Sequence, residues 1–142
     1  MDYNLERFID AQTQRVTYQT ALQEVKDGMK VSHWMWYIFP QIKGLGFSYM
    51  SVYYAVSCAE EAKAYLEDPV LGPRLREIST ALLNHADKKA EDVLGDIDAC
   101  KLKSSMTLFN AVCPNDVFAK VLDAFFGGDQ DRRTLDLMKQ IP

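Results

Sequence analysis

Between His33 and Gln41 the chain reads His-Trp-Met-Trp-Tyr-Ile-Phe-Pro-Gln, a run holding both tryptophans and one of the two histidines. Aromatic side chains bury the largest areas of any residue type, and Trp and Tyr also need a polar partner at one end. A segment this rich in them is either the centre of a core or the wall of a binding pocket. The fold must be arranged around it in both cases.

The rest of the chain is patterned for helices. Leu5, Phe8, Ile9, Gln12 and Val16 share one helical face after Asn4, a suitable N-cap. Tyr18, Ala21, Leu22 and Val25 would lie nearly opposite on a straight helix, which predicts a bend near Thr13 to Thr17, with Thr17 capping a second helix and Gly28 ending it. Ser32 is placed to cap one or two turns through the aromatic run, and Pro40 disfavours helix in the residue before it. Gln41 to Gly46 reads as a loop, and Ser48 to Val56 fits a short helix or an extended piece.

Ser57 with Glu60 has capping-box spacing ahead of a helix over Cys58 to Glu67. Asp68-Pro69 starts another, whose Leu71, Leu75, Ile78 and Leu82 fall on one side. A single turn is expected at Ala90 to Leu94, closed by Gly95. Asp98 is expected to cap a helix from Ala99 to about Val112. A further helix carries Phe118, Val121, Leu122 and Phe125 and stops at Gly127-Gly128, and Asp131 can cap a last one through Leu135 and Met138. The expectation is a mainly α protein, a single compact domain over residues 1–142 with about seven helices.

Composition narrows the function classes. Apolar residues are 48% and charged residues 25%, the balance of an ordinary globular protein. A net charge of −4 argues against a general nucleic-acid binder, which needs clustered Lys and Arg. No apolar run approaches the roughly 20 residues that span a bilayer. The start, Met1-Asp2-Tyr3-Asn4, lacks a basic and apolar leader, so a cytoplasmic location is expected. Cys58, Cys100 and Cys113 form no CxxC pair and are expected to be reduced, half-buried and inert. No metal-ligand spacing is present, so no metal or cofactor is expected.

The sharpest local anomaly is in the helix from Ala99. Leu102, Met106, Phe109 and Cys113 centre an apolar face that Leu108 and Val112 widen, and Lys101 and Ser105 fall inside that wider arc. A buried lysine without a partner is costly. Lys101 therefore either runs out to water or meets an anion in a pocket beside Ser105, with Ser104 at the margin. The lysine–serine pair is also the arrangement in which an amine can activate a hydroxyl nucleophile. In the bland alternative Ser105 bonds the carbonyl four residues back, and Lys101 pairs with Asp96 or Asp98 in the first turn. The aromatic run divides the same way. It is core, or Trp34 or Trp36 stacks on a planar ligand while His33 or Gln41 makes directional hydrogen bonds.

Several motifs form a recognisable set: the run from His33 to Gln41, Gly44-Leu-Gly46, Glu60-Glu-Ala62 with Tyr65-Leu66, Pro69-Val-Leu-Gly-Pro-Arg-Leu75, Lys101-Leu102 with Ser104-Ser-Met-Thr-Leu-Phe109, and Phe126-Gly-Gly128. From about Leu5 to Leu137 the chain resembles a family of small, mainly α-helical bacterial proteins of unknown function, sometimes labelled calpastatin in genome annotation. That label fails a physical test. The calpain inhibitor of that name is disordered and built of repeats, whereas this chain has core-forming periodicity and no repeats. The resemblance implies a fold class and a shared signature at Trp34, Trp36, Phe39, Pro40, Gln41, Lys101, Ser104 and Ser105, and no activity.

The functional expectation is a metal-independent pocket for a small anionic or nucleotide-like ligand. Its candidate residues are His33, Trp34, Trp36, Gln41, Lys101, Ser104 and Ser105. The alternative is a non-enzymatic interaction module, or a homodimer, using the aromatic segment.

Overall fold

The computed structural model describes residues 3–140, so Met1 and Asp2 of the N-terminal run lie outside the described residues. Among these residues the protein is mainly α, with no strand and one isolated parallel bridge between Ile42 and Val56. Seven helices have eight or more residues: α1 (Glu6–Thr13), α2 (Thr17–Asp27), α5 (Ala59–Glu67), α6 (Leu71–Leu82), α8 (Asp96–Val112), α9 (Val117–Phe126) and α10 (Arg132–Gln140). Three short ones lie between them: α3 (Met35–Ile38), α4 (Tyr49–Tyr53) and α7 (Ala90–Leu94).

The bend expected before residue 17 is present. Arg15 and Val16 both enter the left-handed region, at φ 52° and 50°, and the chain changes direction there. Val16 is thereby turned outward and 61% exposed, away from the face it was expected to join. Thr17 is the first residue of α2 rather than its cap, and its hydroxyl donates back to the Gln14 carbonyl. Leu5 occupies the N-cap of α1, while Asn4 sits just before it at φ 53°. Gly28 ends α2 at φ 78°, as its place in the sequence predicts.

One continuous core is built on α8, which packs against α5, α7, α9 and α10. Leu102, Met106, Leu108 and Phe109 of α8 are fully buried, and so are Leu71 and Ile78 of α6 and Phe118 of α9. Buried Gln12 joins three elements to α1. Its amide donates to the Tyr37 carbonyl at 2.8 Å and the Tyr65 hydroxyl at 3.2 Å, and its oxygen accepts from Arg74 at 3.3 Å. A buried amide satisfied in this way fixes the packing instead of costing stability.

Most of the aromatic run belongs to this core. Trp34 and Phe39 are fully buried, with Met35 and Ile38 at 2% exposure. Trp34 finds its polar partner in Glu24, which accepts the indole N–H at 3.0 Å. The same carboxylate takes the Val31 and Ser32 N–H groups at 2.7 and 2.9 Å and the Ser32 hydroxyl at 2.6 Å. Ser32 is thus drawn to α2 and does not cap α3.

Burial alone would raise the pKa of Glu24. The hydrogen bonds from Ser32, Val31 and Trp34 outweigh it and hold the carboxyl down to about 2, from an ordinary 4.5. A folded value below the unfolded one contributes stability that is complete above pH 4.5 and is lost as pH falls toward 2. With Glu24 only half-buried, about 1–2 kcal/mol is expected. Unfolding titrations between pH 6 and 2 should show this loss, and Glu24→Gln should flatten it. An unchanged slope in the variant would refute the assignment.

Candidate functional site

Lys101 lies in the second turn of α8, three residues after Asp98. Its Nζ is 3.8 Å from Asp98 Oδ1 and 5.3 Å from the centre of the half-buried Trp36 ring. Asp98 Oδ2 also holds Lys30 at 2.9 Å, and Lys30 stands 4.9 Å over the ring of Trp34. Each tryptophan therefore carries a lysine on one face, and the two lysines share one carboxylate. Such cation–π contacts are worth about 0.5–2 kcal/mol each. Asp98 was expected to cap α8, but the helix starts at Asp96 and places Asp98 in the first turn, where an acid is favourable.

Beside Lys101 is an open cavity of about 380 Å³. Cys100, Lys101 and Ser104 of α8 form one wall, with Ile97 from the preceding turn. Gln41, Leu45 and Gly46 come from the loop after α3, Ser51 from α4, and Asp131 from the start of α10. The Ser104 hydroxyl lies 3.2 Å from the Cys100 carbonyl and 3.1 Å from Asp131 Oδ2. That oxygen of Asp131 also accepts the Thr134 N–H at 3.1 Å, capping α10 as expected, and the Thr134 hydroxyl. The Asp131 N–H donates to Thr107 at 2.9 Å, so α8 and α10 are tied together at the edge of the cavity.

Three polar groups at this cavity keep bonding capacity. Lys101 has three donors, and its nearest carboxylate oxygen is beyond hydrogen-bond reach. The side-chain amide of Gln41 and Asp131 Oδ1 make no hydrogen bond among the described residues.

Of the residues singled out in the sequence, Gln41, Lys101 and Ser104 meet at this cavity, and Trp36 stands behind Lys101. Trp34, Ser105 and His33 do not meet there. Trp34 has no exposed surface for a ligand to stack on. Ser105 is fully buried on the core side of α8, and its hydroxyl has no hydrogen-bond partner. The cavity lies on the side shared by Cys100 and Ser104, and Ser105 is one residue, about 100° of helix, further round. It is Ser104 and not Ser105 that has the carbonyl four residues back in reach, with Asp131 Oδ2 competing for the same O–H. No lysine–serine hydrogen bond supports a nucleophilic serine among the described residues. His33 is exposed and outside the cavity lining.

Cys100, Ser51 and Ile97 carried no sequence signal for this site. Asp131 was visible only as a helix cap. Cys100 is exposed, whereas Cys58 and Cys113 are half-buried, and all three are free thiols. Among the described residues no three His, Cys, Asp or Glu side chains converge, and no helix is long and apolar enough to cross a membrane.

Residues 2–138 match the family described as a protein of unknown function (DUF1810). Among solved structures, the crystal structure of the conserved hypothetical protein Rv1873 from Mycobacterium tuberculosis is similar, with a TM-score of 0.92 and 40% sequence identity. The match covers 96% of this chain and 97% of that one. No curated protein matches the chain.

Proposed function

Since the chain belongs to the DUF1810 family, whose function is unknown, we propose from its own geometry that it binds a small anionic ligand in the cavity beside α8. Lys101 meets the negative charge and the Gln41 amide donates to it, while Ser104, whose one O–H is engaged by the Cys100 carbonyl and Asp131, lines the wall. The observation that carries this reading is the Lys101 ammonium, held at the cavity wall between Trp36 and Asp98 with no hydrogen-bond acceptor in reach. The volume, about 380 Å³, is at the small end of the range for ligand sites.

A stacked nucleotide is disfavoured. Trp34 is buried, and the Trp36 ring already has Lys101 against it. The aromatic run also offers little to a protein partner, because Trp34, Met35, Ile38 and Phe39 face the core.

Lys101→Ala tests the reading. The variant should fold, with stability within about 1 kcal/mol of the parent. Small carboxylates and phosphates that raise the melting temperature of the parent should bind it at least about tenfold more weakly by calorimetry, roughly 1.4 kcal/mol. Equal affinity for every such anion in the two proteins would overturn the proposal.

A further inference from the structure

Resting on the reading of Lys101 as an anion contact, we infer that the ligand is a small zwitterion, with a carboxylate toward Lys101 and an ammonium toward Asp131. The cavity wall holds one cation and one carboxylate, and each has capacity to spare. Asp131 Oδ2 is saturated by Ser104 and by both donors of Thr134, while Oδ1 accepts nothing among the described residues. Lys101 is paired with Asp98, and no ion pair joins it to Asp131. The two charges therefore stand as separate poles of one cavity.

A plain anion satisfies only half of this arrangement. Bound at Lys101, it brings a second negative charge into the space that Asp131 borders, and like charges in one site oppose each other. A ligand carrying an ammonium at its other end turns that repulsion into attraction and gives Oδ1 a donor. A carboxylate accepts hydrogen bonds only, so the complementary group must donate. Gln41 can both donate and accept, and so serves either end.

The poles are close together. Ser104 touches Asp131, and Lys101 lies three residues earlier on α8, about 4.5 Å along the helix axis. The Lys101 side chain leans toward the N-terminus of its helix, which widens the gap somewhat. The ligand is therefore short, with a few carbons between its charges. Leu45 and Ile97 provide apolar wall for that stem.

The test uses the whole protein and a series of ω-amino acids from glycine to 6-aminohexanoate, each compared with the alkanoate and the alkylamine of equal length. Calorimetry should find an optimal length at which the amino acid binds at least tenfold more tightly than both counterparts. Lys101→Met should reduce its affinity to that of the alkylamine. Asp131→Asn should reduce it to that of the alkanoate, and since Asn caps helices as well as Asp, α10 should remain folded; a melting curve checks this. If alkanoates bind as tightly as the amino acids and Lys101→Met weakens both, the zwitterion is overturned and the anion site stands. Binding of the series that ignores Lys101→Met overturns both readings. Failure of every ω-amino acid to bind overturns the zwitterion.

Discussion

Replacing Glu61 with alanine is expected to cost about 3–5 kcal/mol of folding stability. Its carboxylate on α5 is 2.8 Å from the Arg7 guanidinium of α1, and the two side chains are only 3% and 8% exposed. Arg7 spends its remaining donors on backbone carbonyls: Tyr53 and Ala55 at 2.8 Å, Asn4 at 2.8 Å and Tyr3 at 2.7 Å. Glu61 in turn accepts the Ser57 N–H at 3.0 Å and the Ser57 hydroxyl at 2.7 Å. The pair thus joins the start of α1 to both ends of the segment between α4 and α5.

With Glu61 removed, the guanidinium remains buried among carbonyls without a counter-charge, the Ser57 N–H loses its acceptor, and the Ser57 hydroxyl keeps only Cys58 Sγ at 3.6 Å. The pair Lys103–Asp129 is a contrast. Asp129 is 74% exposed, and such a pair contributes about 0–1 kcal/mol. Urea unfolding at neutral pH should separate Glu61→Ala from Asp129→Ala by at least about 2 kcal/mol. Similar losses in the two variants would mean that water reaches Arg7 and the pair behaves as a surface contact.

Glu61 also shows how far the sequence can be read. Ser57 and Glu60 have capping-box spacing, yet it is Glu61 that reaches back to Ser57, because its charge is needed by Arg7 from the other end of the fold. Ser32 misses its expected cap because Glu24 takes it, and Asp98 because the helix begins earlier and two lysines claim its oxygens. Periodicity located the helices because burial of a face depends on spacing within one element. Caps went astray by a residue or two where a distant charge outbid the local donor, a competition that no local pattern contains.

The site divides on the same line. Lys101 is visible because a polar group in the apolar arc of a helix is anomalous, Ser104 only at the margin of that arc, and Gln41 because it follows the aromatic run and precedes a glycine loop. Ser105 stood out for the same reason, but its position was decided by which side of α8 the neighbouring helices cover. Asp131 enters the site through the docking of α10 on α8, fixed by its N–H bond to Thr107 and its contact with Ser104. Nothing near residue 131 in the sequence announces that. Within the aromatic run, Trp34 packs in the core under Lys30, while half-buried Trp36 lies against Lys101 and outside the cavity lining.

Gly72→Ala is expected to destabilise the protein by about 3 kcal/mol, against what helix propensity alone would give. Gly72 lies in the first turn of α6, where alanine is intrinsically better by about 1 kcal/mol and also restricts the unfolded chain. A Cβ there would stand 2.0 Å from the Leu66 carbonyl oxygen and 2.9 Å from its carbon. Those are backbone atoms at the end of α5, and the same oxygen accepts from Arg76 of α6 at 3.4 Å, so it cannot swing aside alone. Relief requires α5 and α6 to separate, which uncovers Leu66, Leu71 and Leu75, all now buried. Overpacking therefore outweighs propensity. Gly127→Ala is the matched control, with open space around it but a φ of 61°, so only left-handed strain of about 1–2 kcal/mol applies. Chemical denaturation of the two variants should rank Gly72→Ala as the more damaging. A Gly72→Ala protein as stable as its parent would show that the two helices do not approach this closely.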